Sequence, residues 1–475
     1  MKQLGALVNG KPIETAGTVD VTDPSSGEVF ARTADCGPAE IDQAVMAARE
    51  AAASWRHVPV AERARVLREI SRLIGRHTAD LARLEAQQTG KPLRQARRDT
   101  EITGRYFDFY ASAIETFYGS TIPLDDSTFV YTTWEPHGVT AHIIPWNYPL
   151  QILGRSVAPS LAMGNCCVLK PAEEAPLTAL RLGELALEAG LPAGALNVVT
   201  GFGETAGAAL TAHPGIDHIS FTGSVEVGRL ISKAAADRTI PVTMELGGKS
   251  PNIVFADAEI DRALPVIVNS ILQNAGQTCS AGSRLIVQDS IHDLLVGRIA
   301  ETFAAVDIGP ALEDPALGPL ISEVQRERVL SYIDQGRAHA SIRYGGGALN
   351  GGRYGHGFFV QPTLIDGVDP ASTLGQEEVF GPVLAVTAFR DADEAVRLAN
   401  GTDYGLVSGV WTSDVKTAHR MVRDIVAGQV FVNTYGASGG VELPFGGFKR
   451  SGHGREKGAE GLRGFGQIKT AVIAL

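Results

Sequence analysis

The stretch VTAHIIPWNYPLQILGRSVAPSLAMGNCCVLKP, residues 139–171, decides the fold. Two short apolar runs, Ala141–Ile144 and Cys166–Leu169, read as buried strands, and the segment near 150–163 between them reads as a helix. The alternation continues with strands at Leu196–Val199, His218–Phe221 and Val242–Glu245, separated by amphipathic segments near 176–189, 205–212 and 225–236. Strand and helix in turn over a hundred residues predict an α/β fold with a parallel, doubly wound sheet, whose ligand site lies at the carboxyl ends of the strands. No GxGxxG follows the first strand. Gly201-Phe202-Gly203-Glu204-Thr205-Ala206-Gly207 resembles that pattern loosely, after the third strand.

Upstream, residues 5–35 alternate apolar runs with turn signals such as Asn9-Gly10, and Pro38 to about Phe117 is helical, with Val66, Ile70 and Leu73 at helix spacing. Residues 118–137 break that pattern with a turn at Ile122–Asp126 and a strand at Phe129–Trp134, and the final Ile468–Leu475 is also strand-like. A hydrophobic strand at the chain's end would be an unprotected edge if left alone. Both segments are therefore expected in an oligomer interface, the alternative being that they pair within one subunit. Downstream lie a strand at Arg284–Val287 and a helix near Glu323–Tyr332.

With 475 residues, 44% hydrophobic and 20% charged, the chain suits two or three domains of a water-soluble protein. A net charge of −11 without a basic stripe speaks against nucleic acid as a partner. No run reaches the ~18 apolar residues of a membrane span. Four cysteines without zinc spacing predict no metal site and fit a reducing, cytoplasmic location.

The chemistry concentrates between Glu245 and Cys279. Cys279 stands in Gly276-Gln277-Thr278-Cys279-Ser280-Ala281-Gly282, among small neighbours that let a substrate reach sulfur. Only the thiolate attacks carbon well, and a free thiol titrates near ~8.5, so a reactive one needs local help. A buried structural cysteine is the alternative for any lone Cys. Glu245-Leu246-Gly247-Gly248-Lys249 followed some thirty residues later by Gly276-Gln277-Thr278-Cys279 reverses that preference. Together with Pro145-Trp146-Asn147-Tyr148-Pro149, Gln376–Val383 and Pro444–Lys449, these motifs strongly resemble the NAD(P)-dependent aldehyde dehydrogenase superfamily over nearly the whole chain.

The resemblance implies a Rossmann-like NAD-binding domain (1–117 and 138–246), an α/β catalytic domain (247–450) and small β oligomerisation segments (118–137 and 458–475), in a homodimer or homotetramer. It makes Cys279 the nucleophile, Asn147 an oxyanion donor, and Glu245 the base that activates water. Glu245 also separates the chain from the coenzyme A-acylating branch, so the product is a free acid. Glu456 matches a second glutamate near the site, suited to proton relay, but its usual lysine neighbour is Ser156 here. For the cofactor, Lys170 and Glu173 match the adenine-ribose contacts, and a carboxylate there favours NAD over NADP. Gly223 and Ser224 open a helix that can receive the pyrophosphate. Ile144, Trp146 and Leu246 complete the cleft, and Glu378 and Phe380 match the nicotinamide-side contacts.

Tyr148, Arg155, Gln273 and Phe445 are the substrate-side positions. Arg155 resembles the arginine by which succinic semialdehyde dehydrogenases hold a distal carboxylate, but their second arginine corresponds to Gln273. The reading is thus a semialdehyde substrate, or an aromatic or aliphatic aldehyde with Arg155 structural and paired to Glu442. A cysteine hydrolase lacks a histidine in a matching motif, and a binding protein has no reason to keep Cys279, Glu245 and Asn147 together.

Overall fold

The computed structural model describes residues 2–436 and 440–475. The five expected strands form at Val139–Ile144, Cys166–Pro171, Leu196–Val198, His218–Thr222 and Val242–Glu245. All four contacts among them are parallel, and the first strand lies between the second and the fourth. Chain direction across the sheet reverses at that strand, which opens a crevice beyond its carboxyl end. Ile144 and Asn147 stand at that crevice, and Thr222 aligns with Glu245 on the adjacent strand. Short antiparallel strands from 6–8, 11–13 and 452–453 extend the sheet to eight strands.

The helix Pro149–Met163 leaves the first strand and is buried along almost its whole length. Proline at its first position costs no hydrogen bond, because that N–H would be unpaired anyway. Gly164, at φ 98°, ends it in the left-handed region. Four helices, Pro38–Trp55, Val60–Arg76, Thr78–Thr89 and Leu93–Ala113, pack over this half; Val66, Ile70 and Leu73 face inward as their spacing requires. Phe107 and Tyr110 are fully buried.

A second, seven-stranded sheet is built from residues 251–432, with Arg284–Gln288 and Pro251–Val254 at its centre. Between the two sheets runs Leu246-Gly247-Gly248. A Cβ on Gly247 would lie 2.2 Å from a Glu378 carboxylate oxygen, and one on Gly248 would lie 2.4 Å from the Cys279 carbonyl. The glycines are there because the two halves touch through backbone.

The expected terminal strand forms at Gly466–Ala474, and it pairs antiparallel with Thr128–Pro136 of the same chain in unbroken register. The two segments thus pair with each other within one chain. The pairing leaves Phe129, Ile468, Val472 and Ile473 exposed on a two-stranded ribbon, an arrangement with little stability of its own.

Candidate active site

Cys279 follows a tight turn in which Asn274, Ala275 and Gly276 all take positive φ (52°, 54° and 72°). Non-glycine residues are uncommon there, and two in succession mark a strained segment held by its surroundings. The hold is visible. Asn274 donates through Nδ2 to the Asn147 carbonyl at 2.9 Å and the Gln277 carbonyl at 3.2 Å, and its N–H donates to Gln95 Oε1 at 2.9 Å. A Cβ on Gly276 would sit 2.1 Å from the Gly381 carbonyl. Cys279 itself is part-exposed and packs beside Leu406, Val407 and Phe445. Burial of its surroundings pushes the thiol up to about 11, while the Arg155 and Lys457 charges pull the other way.

Asn147 is buried, and its backbone carbonyl is gripped from two sides, by Asn274 and by the Lys91 ammonium at 2.8 Å. Lys91 is in turn held by Asp99 at 2.5 Å. One Asn147 amide hydrogen goes to the Gln277 carbonyl at 2.9 Å, which leaves the second free to donate.

Glu245 ends its strand 1% exposed, and neither carboxyl oxygen has a hydrogen-bond partner among the described residues. Burial first, and then the facing Glu456 carboxylate, hold its pKa well above the usual range. A buried carboxyl without partners is costly and suits a group that takes up a proton in a reaction. Gly446 makes room for it: a Cβ there would lie 2.7 Å from Glu245 Oε1.

Arg155 is buried and forms an ion pair with Glu456, which is fully buried. Its guanidinium also donates to Thr222 Oγ1 at 3.3 Å and stands 5.1 Å over the Phe445 ring. The Glu442 pairing expected for a structural Arg155 is not made; Glu442 accepts instead from Arg105 at 2.7 Å. Glu442 is exposed, whereas Arg155 points inward from a buried helix. The expected relay partner is also replaced, since Ser156 bonds its own helix at the Ile152 carbonyl, 2.9 Å away. Glu456 accepts from Ser220 Oγ at 3.2 Å. Gln273 donates to Tyr148 Oη at 3.0 Å, and that hydroxyl pairs with Thr278 Oγ1 at 2.9 Å, so this wall is polar and uncharged.

The residues expected to hold the cofactor come from both α/β halves. Lys170 donates to Glu173 at 3.0 Å beside an open cleft of about 530 Å³ that also borders Asp20, Arg32, Glu174 and Phe202. Phe202 belongs to the loose glycine motif, which thus borders the Glu173 cleft. Ser224 caps the helix Val225–Arg238 by accepting from the Val227 N–H at 3.2 Å. Gly228 lets that helix close on Leu246; a Cβ there would come within 2.7 Å of its side chain. Gly223 directly precedes the cap. Glu378 accepts from the Gly248 N–H at 2.9 Å, and burial raises its carboxyl to about 7. Phe380 and Trp146 meet edge to face at 5.4 Å.

Sequence reasoning missed Lys91, Asp99, Asn274 and Lys457. Lys91 and Asp99 look like ordinary surface charges, and nothing local shows that both are buried. Asn274 gives the one usable signal, because Asn before Ala-Gly tolerates the left-handed turn.

A part-exposed thiol, a buried carboxyl and a carboxamide gather where two α/β halves meet, a set suited to adding sulfur to a carbonyl carbon and holding the oxygen that results. A sequence profile of the aldehyde dehydrogenase family matches residues 13–471. Aldehyde dehydrogenase family 2 member B4, mitochondrial, of Arabidopsis thaliana is 42% identical over 99% of this chain and 88% of its own. An NAD+ complex of an aldehyde dehydrogenase from Bacillus cereus superposes with a TM-score of 0.97 at 38% identity, covering 100% of this chain and 97% of that one. An NAD-dependent aldehyde dehydrogenase from Sinorhizobium meliloti gives 0.96 at 38% identity, covering 100% and 95%. The chain belongs to the aldehyde dehydrogenase family.

Proposed function

We propose that this protein oxidises an aldehyde to its carboxylic acid with NAD, through a covalent intermediate on Cys279. The observation that carries the reading is the convergence of Cys279, Glu245 and Asn147 from three separate stretches of chain. The Cys279 thiolate adds to the aldehyde carbon, forming a C–S bond and an oxyanion. The Asn147 amide hydrogen and the Cys279 backbone N–H receive that oxyanion; such donors are worth about 3 kcal/mol each. NAD, when bound, would accept the hydride that leaves this carbon, and the oxyanion then collapses to a thioester on Cys279. Glu245 then takes a proton from water, which attacks the thioester carbonyl, and the acid leaves as the thiolate is restored.

The residues present fit NAD. A cleft opens beside Glu173, whose carboxylate suits two ribose hydroxyls and repels a 2′-phosphate. The Ser224-capped helix offers N–H groups to a pyrophosphate, Glu378 and Phe380 would meet the nicotinamide ribose and ring, and Ile144, Trp146 and Leu246 would complete the cleft. The cofactor domain would comprise 1–117 and 138–246, the catalytic domain 247–450. The ribbon of 118–137 and 458–475, apolar and exposed, would be covered in a homodimer or homotetramer.

Arg155 is the point at which geometry changes the substrate argument. An arginine already neutralised by a buried glutamate has little charge to offer a substrate carboxylate, so the observations favour Arg155 as a positioning residue for Glu456. Mixing protein, NAD and an aldehyde panel tests the activity, with NADH absorbance as the readout. Cys279→Ala should form no NADH while still binding NAD, and Glu245→Gln should give one burst and then stall. Steady turnover by either variant would overturn its assigned role.

A further inference from the structure

Arg155 is not the only cation beside Cys279. Lys457 directly follows Glu456, and its ammonium stands 5.0 Å over the ring of Phe445, the residue that also packs beside Cys279. Unlike Arg155 it is part-exposed, and among the described residues no carboxylate lies within ion-pair distance of it. Its backbone is at φ 62° and ψ 169°, a region that glycine occupies easily and lysine does not. The strain is fixed from both sides: Phe445 and Glu456 exchange both backbone hydrogen bonds, at 2.7 and 2.8 Å, and the Gly458 N–H donates to the Val441 carbonyl at 2.8 Å. The chain thus holds a long cationic side chain in an unfavourable backbone conformation, with its head against the aromatic wall beside the nucleophile.

We propose that Lys457 is the specificity-determining cation of the substrate site, and that it binds an anionic group carried by the aldehyde at the end remote from the reacting carbon. The inference rests on the reading of Cys279 as the nucleophile, and it names the class of substrate: an aldehyde with a distal carboxylate or comparable anion. Two features make Lys457 better suited than Arg155. Among the described residues its charge has no ion-pair partner, and the Phe445 face that steadies the ammonium leaves its three donors free to pair.

The groups facing Lys457 are Arg155, Cys279, Glu456 and Glu245. Burial first, and then Arg155, lower the ammonium to about 8, with Cys279 and the two glutamates acting in the opposite sense. Selection for an anion should therefore be strong at pH 7 and fade as pH rises past 8. Arg155, Cys279, Glu456 and Glu245 are the same in every variant, so the change in the charged-to-uncharged ratio between wild type, Lys457→Met and Lys457→Arg isolates Lys457.

The test uses 4-oxobutanoate and butanal with NAD, in wild type, Lys457→Met and Lys457→Arg. The ratio of kcat/KM, charged over uncharged, should fall about 10- to 150-fold in Lys457→Met, as loss of one charge-assisted contact predicts. It should be largely kept in Lys457→Arg. In wild type the ratio should also fall between pH 7 and pH 9, and in Lys457→Arg it should stay level, because a guanidinium does not titrate there. Butanoate and the uncharged butanamide, measured by calorimetry, give a readout independent of turnover: wild type should bind butanoate more tightly and Lys457→Met should lose that margin. An unchanged ratio in Lys457→Met, or equal affinity for the two ligands in wild type, overturns the role of Lys457. Failure of wild type to oxidise any aldehyde would instead overturn the proposed activity, and the two ligands would still decide Lys457.

Discussion

Replacing Arg155 by leucine separates a positioning role from a substrate-binding one. The guanidinium and the Glu456 carboxylate are both buried, with side chains 8% and 0% exposed, and each neutralises the other. Removing one partner of such a pair leaves an uncompensated buried charge, at a cost of about 3–5 kcal/mol. Removing both leaves no orphaned charge, so Arg155→Leu combined with Glu456→Gln should recover much of the loss. The substitution should also lift the Glu245 and Cys279 pKa values further, because the Arg155 charge lowers both. The acid limb of the kcat/KM profile should then move to higher pH for every aldehyde. Urea unfolding of the wild type, both single variants and the double variant measures the coupling, and kcat/KM for 4-oxobutanoate and butanal measures selectivity. The expected result is a large stability loss in Arg155→Leu, partial recovery in the double variant, and similar activity losses on both substrates. Unchanged stability with a loss confined to 4-oxobutanoate would refute the argument and return Arg155 to the substrate.

Glu173→Gln should relax discrimination against NADP by removing the carboxylate's repulsion; a wild type that already prefers NADP would contradict the role given to Lys170 and Glu173. Without NAD, alkylation of Cys279 by iodoacetamide should speed up nearly tenfold per pH unit from 7 to 9, since a thiol titrating at about 11 gains thiolate in that proportion. A flat rate over that range would mean that the thiol is already ionised. Deleting residues 468–475 should lower the oligomeric state seen by sedimentation, because it strips most of one strand from the exposed ribbon; an unchanged oligomer would remove the ribbon from the interface.

The doubly wound sheet was legible because its information is local. Apolar runs of strand length alternate with helical spacing from 139 to 245, and a buried parallel strand has to be apolar on both faces. Cys279, Glu245 and Asn147 were legible because each sits in a motif dense in Gly, Pro or small residues, where backbone must turn or approach closely. The partners of the charged residues were not legible. Arg155 lies 301 positions from Glu456 in sequence, and Arg105 lies 337 from Glu442. Only the closure of the last segment, through the Phe445–Glu456 backbone pairing, decides which acid each arginine meets. The same closure sets Lys457 against Phe445, and the terminal strand against Thr128–Pro136. Charge pairing depends on distance and burial, and a sequence states neither. What the residues themselves determined was which groups can do the chemistry; which of them are buried, paired or left without an ion-pair partner was decided by the tertiary structure.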